Sequence, residues 1–193
     1  MSEQTKYNSR CRGPNLDPNL GSDQGRDRGP DQAGTPAGRP ETTTALTRGI
    51  RRFLVAGGGA TVTEMRLATG RRADIVCIDA KGRITIVEIK SSPEDLKADS
   101  KWHTYLDYCD RFYFGVAPDF PLSLLPADAG IIVGDAYDGA IHRDCSAWAL
   151  SAARRKAMML RFAHTAATRL MRREDPSDPT TGSLAGLSFS EPA

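Results

Sequence analysis

Asp74, Glu88 and Lys90 are the residues most able to do chemistry in this 193-residue chain, because each interrupts a run of Ile and Val. The stretch from Gly70 to Ser92 reads GRRADIVCIDAKGRITIVEIKSS. Side chains on an extended strand alternate between faces, so Glu88 and Lys90 share one face about 7 Å apart, with Val87 and Ile89 on the other. Asp74 belongs to the preceding strand, one hairpin away. Two carboxylates and an ammonium inside apolar strands resist burial unless something partners them. A divalent cation is such a partner: Mg²⁺ (or Mn²⁺) takes carboxylate oxygens, keeps several waters and bridges to substrate phosphates. Lys90 beside it is suited to positioning or deprotonating an attacking water, or to stabilising charge that develops on a phosphate. The bland alternative is a structural ion-pair cluster at a sheet end.

The elements that must position these groups follow from periodicity. Leu46, Ile50, Phe53 and Leu54 recur at helical spacing, predicting a helix from about Thr43 to Ala56 that ends at Gly57, Gly58 and Gly59. Three strands are expected over Thr61 to Leu67, Arg72 to Ile78 and Arg83 to Lys90. Asp79-Ala80-Lys81-Gly82 suits the tight turn between the last two, since glycine tolerates positive φ. Ser92-Pro93-Glu94-Asp95 combines an N-cap, a first-turn proline and first-turn acids, opening a helix expected to reach about Asp110. Arg111 to Val116 (RFYFGV) reads as a buried strand, Gly130 to Gly134 and Ala140 to Arg143 as short strands, and Ser151 to Arg173 as a long helix. The order predicts an α/β domain with a mixed sheet.

Composition limits the surroundings. Residues 1–42 and 174–193 are poor in large apolar side chains and read as disordered tails, although Leu184, Leu187 and Phe189 could form a short docking peptide. The domain is therefore expected at 43–173, near the common domain size. Cys11, Cys77, Cys109 and Cys145 form no C-x-x-C pair, which argues against disulfides and zinc. No run approaches the ~20 apolar residues of a membrane span and the N-terminus lacks a signal-peptide core, so a cytoplasmic, nucleoid-associated protein with no membrane partner is expected.

Asp74 followed across a hairpin by Glu88-Ile89-Lys90 resembles the PD-(D/E)xK nuclease signature, and the element order is similar to that fold's core. GRRADI, VEIKSS and DLKADSKWHTYLDYCDRFYFGV together resemble the MmcB family, a bacterial DNA-repair-associated branch of that superfamily, over about residues 45–170. The resemblance implies a restriction-endonuclease-like core: a helix, a three-stranded hairpin-connected sheet, a helix and a strand, within a mixed sheet with flanking helices. It implies that Asp74, Glu88 and the Ile89 carbonyl ligate the metal and that Lys90 is the catalytic lysine. The first helix has no acid between Thr43 and Ala56, so Glu64 on the first strand is expected as the fourth member and a further ligand. Ala73 stands where the signature usually has Pro. Lys101 and Tyr105 have the i, i+4 spacing of the Gln and Tyr that RecB-like relatives turn toward the site.

The last predicted helix, with seven basic residues and no acid over 151–173, carries Ala153, Ala157, Leu160, Ala163, Ala167 and Leu170 along one face and arginines elsewhere. Arg154, Arg155, Lys156 and Arg161 are expected to meet a nucleic-acid backbone, as are Arg71, Arg72, Lys101 and Tyr105 nearer the motif. The expected function is metal-dependent hydrolysis of DNA phosphodiester bonds in repair, with repair-protein partners through the tails. The alternatives are a non-catalytic DNA-binding adaptor on the same fold, and an RNA-processing nuclease.

Overall fold

A computed structural model describes residues 39–98 and 101–177, with side chains from Thr43 onward. The expected tails fall outside these residues except at 39–42 and 174–177, as does the Leu184–Phe189 segment. The elements run α1 (Arg39–Ala56), β1 (Gly59–Arg66), β2 (Arg72–Asp79), β3 (Ile84–Lys90), α2 (Pro93–Ala98), a 3-10 segment (Trp102–Tyr108), β4 (Arg111–Val116), β5 (Gly130–Gly134), β6 (Gly139–Arg143) and α3 (Ala152–Glu174). No helix among them is long and apolar enough to cross a membrane.

The six strands lie in sequence order. β1, β2 and β3 form an antiparallel meander, β4 and β5 add parallel to β3, and β6 returns antiparallel. The Asp79–Gly82 turn behaves as its residues suggest. Gly82 takes φ 74°, and the Asp79 carboxylate accepts the Lys81 and Arg83 N–H groups at 2.8 and 3.0 Å.

Both faces of the sheet are covered, which explains why β3 and β4 are apolar almost throughout. Leu46 and Ile50 of α1 pack on Ile75, Val87, Ile89, Tyr113 and Ile132. The opposite face buries Val76, Ile84, Ile86, Phe112 and Phe114 beneath Trp102, Tyr105 and Met158. Alternation along β3 places Glu88 and Lys90 on this second face. α1 approaches the β5–β6 turn so closely at Gly49 that an added Cβ would sit 2.0 Å from the Asp135 carbonyl oxygen. Backbone cannot yield there as a side-chain tip can, so Gly49→Ala is expected to destabilise the domain by about 1–3 kcal/mol in a urea melt; an unchanged midpoint would contradict this packing.

Two expectations are corrected. The predicted helix to Asp110 is instead a short α2 followed by a 3-10 segment, so Lys101 and Tyr105 do not sit on one α-helical face. In the 3-10 geometry residues three apart eclipse. That spacing puts Trp102 and Tyr105 together in the core, Trp102 stacked on Phe112 at 5.1 Å and Tyr105 at 5.8 Å. On α3, the predicted apolar stripe faces outward: Leu160 and Leu170 are each 55% exposed, while Met158 is buried with Phe162 and Ala166 packed beside it.

Candidate functional site

The β2–β3 ladder stops at Ile75 and Val87, one residue short of Asp74 and Glu88. Beyond it the side chains complete the strand hydrogen bonds. The Asp74 N–H donates to Glu88 Oε1 at 3.1 Å, and the Ile89 N–H donates to Asp74 Oδ2 at 2.9 Å. Each carboxylate is thus fixed through one oxygen by the other strand's backbone. A residue's N–H and C=O point to the same side of a strand, so the Ile89 carbonyl also faces the opening beside Asp74.

Glu88 and Lys90 are buried, at 5% and 7% exposure. The Lys90 ammonium lies 5.9 Å from the Phe114 ring centroid, a cation–π contact. Burial pushes the Asp74 carboxyl above its ordinary value of 3.8; the Ile89 N–H, Lys90 and Arg72 pull it back only in part, and Glu64 adds to the rise. Asp74, Glu88, Lys90 and Glu64, the four groups named in the sequence, are therefore neighbours: Glu88 and Lys90 are buried, Asp74 is half-buried and Glu64 is exposed.

Glu64 lies across from Asp74, between the pairs Thr63–Ile75 and Met65–Ala73. Its φ is 49°, the left-handed region that a non-glycine residue adopts at a cost of order 1–3 kcal/mol when the surroundings impose it. Arg169 of α3 meets this stretch, its guanidinium donating to the Thr63 carbonyl at 2.5 Å and the Glu64 carbonyl at 3.2 Å. The Glu64 carboxylate is exposed and pairs with Arg72 at 3.4 Å.

The donor set fits a hard dication: two anchored carboxylates and a carbonyl suit Mg²⁺ or Mn²⁺, leaving positions for water and a phosphate. Among the described residues no group of three or more His, Cys, Asp or Glu side chains is gathered as round a metal ion. Glu64, held by Arg72, does not complete such a group.

The expected nucleic-acid contacts divide. Arg71 donates to the Lys101 carbonyl and to Thr104 Oγ1 and lies 5.0 Å from the Tyr105 ring, tying the 3-10 segment to β2. Tyr105 is buried, its hydroxyl donating to the Arg72 carbonyl at 3.1 Å, a structural post rather than a surface contact. Arg154 pairs with Asp107 at 2.8 Å, and Arg155 makes a two-pronged pair with Asp110 at 2.6 and 2.7 Å. Arg161 reaches the Arg66 carbonyl at 3.5 Å, and Lys101 and Lys156 are exposed. Sequence reasoning missed Arg169 and Asp110. Arg169 carried a signal, since it falls in helical register with Met158, Phe162 and Thr165 on the face toward the sheet.

The model of the family described as DNA repair protein MmcB-like matches residues 30–177. A solved structure, the SPO1766 protein of unknown function from Silicibacter pomeroyi, is similar with a TM-score of 0.66 and 39% identity, over 76% of this chain and 94% of that one. No curated protein matches the chain.

Proposed function

The chain belongs to the MmcB-like family of DNA repair proteins, and on that premise we propose that it hydrolyses DNA phosphodiester bonds with the help of a divalent cation. The observation that carries this reading is the reciprocal anchoring of Asp74 and Glu88 across the end of the β2–β3 ladder, with buried Lys90 on the same face. Asp74, Glu88 and the Ile89 carbonyl would hold Mg²⁺ or Mn²⁺. When bound, the ion supplies Lewis-acid polarisation of the phosphate and lowers the pKa of water. Lys90 then offers a positive charge, already desolvated, to the oxygens on which negative charge grows during displacement. Arg72 holds Glu64 at the rim and adds positive charge beside Asp74.

The test is cleavage of labelled single-stranded, duplex and branched DNA, with RNA beside them, in Mg²⁺ or Mn²⁺ and after chelation. Cutting that needs the metal is expected. Salt-sensitive binding without cleavage in either metal would favour the adaptor reading, which the diversion of Glu64 to Arg72 supports.

A further inference from the structure

α3 carries two stripes. One packs on the sheet through Met158, Phe162 and Arg169, and the other, half a turn away, faces outward and is apolar. Of the large hydrophobic residues exposed among the described ones, four belong to this outer stripe: Met159 at 42%, Leu160 at 55%, Leu170 at 55% and Met171 at 38%. At 3.6 residues per turn they lie within about 60° of a midline that begins at Lys156 and ends at Glu174, about 27 Å further along. An exposed apolar band of this length on an otherwise basic helix calls for a covering surface.

The order of residues along the stripe specifies the cover. Reading outward from Thr165 in either direction, Ala163 is matched by Ala167, Leu160 by Leu170, Met159 by Met171, and Lys156 by Glu174, each pair equidistant from the centre. Turning a second α3 end over end about Thr165 therefore lays small residues on small at the crossing, large apolar residues on large either side of it, and a cation on an anion at both ends. A two-fold interface needs such a self-complementary surface. The shallow groove beside the stripe, lined by Leu150, Ala152, Met159 and Leu160 with Arg155 and Lys156 at its edge, lies where the partner's Leu170 and Met171 would enter.

We infer that the outer face of α3 is a homodimer interface in which two copies of this helix pack antiparallel about a two-fold axis that passes between Ala163 and Ala167, at the level of Thr165. One helix pair falls at the low end of specific interfaces, below about 1,200 Å², so the dimer is weak and reversible, in the micromolar range. The face involved is opposite the one that reaches Glu64, so the inference stands apart from the nuclease reading.

Sedimentation of the full chain from about 1 to 500 µM tests it. The wild type is expected to pass from monomer to dimer with concentration. Leu160→Asp is expected to remain monomeric with an unchanged far-UV spectrum, since the side chain is half exposed. Lys156→Glu and Glu174→Lys each set like charges at both ends and are expected to weaken the dimer roughly tenfold. Lys156→Glu combined with Glu174→Lys restores opposite charges and the dimer. A wild type that stays monomeric throughout overturns the inference, and a dimer appearing only on truncation after Ser177 assigns the stripe to the C-terminal segment instead. A dimer indifferent to Leu160→Asp, or one the charge swap fails to rescue, also overturns it.

Discussion

Lys90→Met and Glu88→Gln are each expected to lower metal-dependent DNA cleavage at least about a thousandfold while the protein stays folded. The two substitutions remove charge and keep shape. In Glu88→Gln the side-chain amide oxygen can still accept the Asp74 N–H that Glu88 Oε1 accepts at 3.1 Å, so the ladder end survives while an anionic donor is lost. A Met side chain at position 90 occupies the same apolar surroundings beside Phe114 without the cost of a desolvated ammonium. Removing Lys90 takes one attractive charge from Asp74 and so moves its already raised pKa further up, while the Ile89 N–H and Arg72 continue to favour its anion. Thermal midpoints within a few degrees of the wild type are therefore expected alongside the loss of cleavage, as happens where charged groups are retained for activity rather than for stability. Cleavage that survives both substitutions would sink the proposal. A collapse of stability in both would instead identify Asp74, Glu88 and Lys90 as a structural ion cluster.

The hairpin and its charged face were legible because strand alternation is local: the pattern ITIVEIK specifies a face, and Asp79 and Gly82 specify the turn. The 3-10 segment was less so. Trp102, Tyr105 and Tyr108 recur every three residues, a spacing that serves an α-helix and a 3-10 helix alike, and the choice is made by stacking on Phe112 and Phe114. α3 misled for a different reason. Hydropathy selects Leu160, Ala163, Ala167 and Leu170 as one apolar stripe, but the sheet takes Met158 and Phe162, which supply volume, and Arg169, which supplies two hydrogen bonds. Those bonds join residues more than a hundred positions apart, so neither they nor the left-handed backbone at Glu64 leaves a local trace in the sequence. The basic run of this helix has a structural component for the same reason: Arg154, Arg155, Arg161 and Arg169 all reach acids or carbonyls of the sheet and its loops.

Asp110→Ala is expected to cost about 3 kcal/mol at neutral pH, the largest stability loss of any single substitution considered. Asp110 is 6% exposed, and its carboxylate accepts the Ile84 N–H at 2.7 Å, the Leu150 N–H at 3.4 Å and both prongs of Arg155. Alanine leaves two backbone donors and one prong of a guanidinium without acceptors; Arg155 also donates to the Gly82 carbonyl at 2.8 Å and is about one-third exposed, so water recovers part of the loss. Burial alone would raise the Asp110 pKa, but hydrogen bonds from Arg155, Ile84 and Leu150 together outweigh it and hold the carboxyl below its ordinary 3.8. A group whose pKa is depressed by folding stabilises the fold fully above its unfolded value and loses that contribution as pH falls through the folded one. The gap between wild type and Asp110→Ala in urea melts is thus expected to be constant from about pH 5 to 8 and to narrow below about pH 4. A gap under about 1 kcal/mol at pH 7 would place Asp110 among ordinary surface pairs. The consequence reaches the site through geometry. The Arg155–Asp110 pair fixes the start of α3 against β4, and fourteen residues on, about 21 Å along the helix, Arg169 must meet the carbonyls of Thr63 and Glu64. Loosening the first contact is expected to weaken the second, so in Asp110→Ala any cleavage that depends on this rim should fall even at temperatures where the domain remains folded.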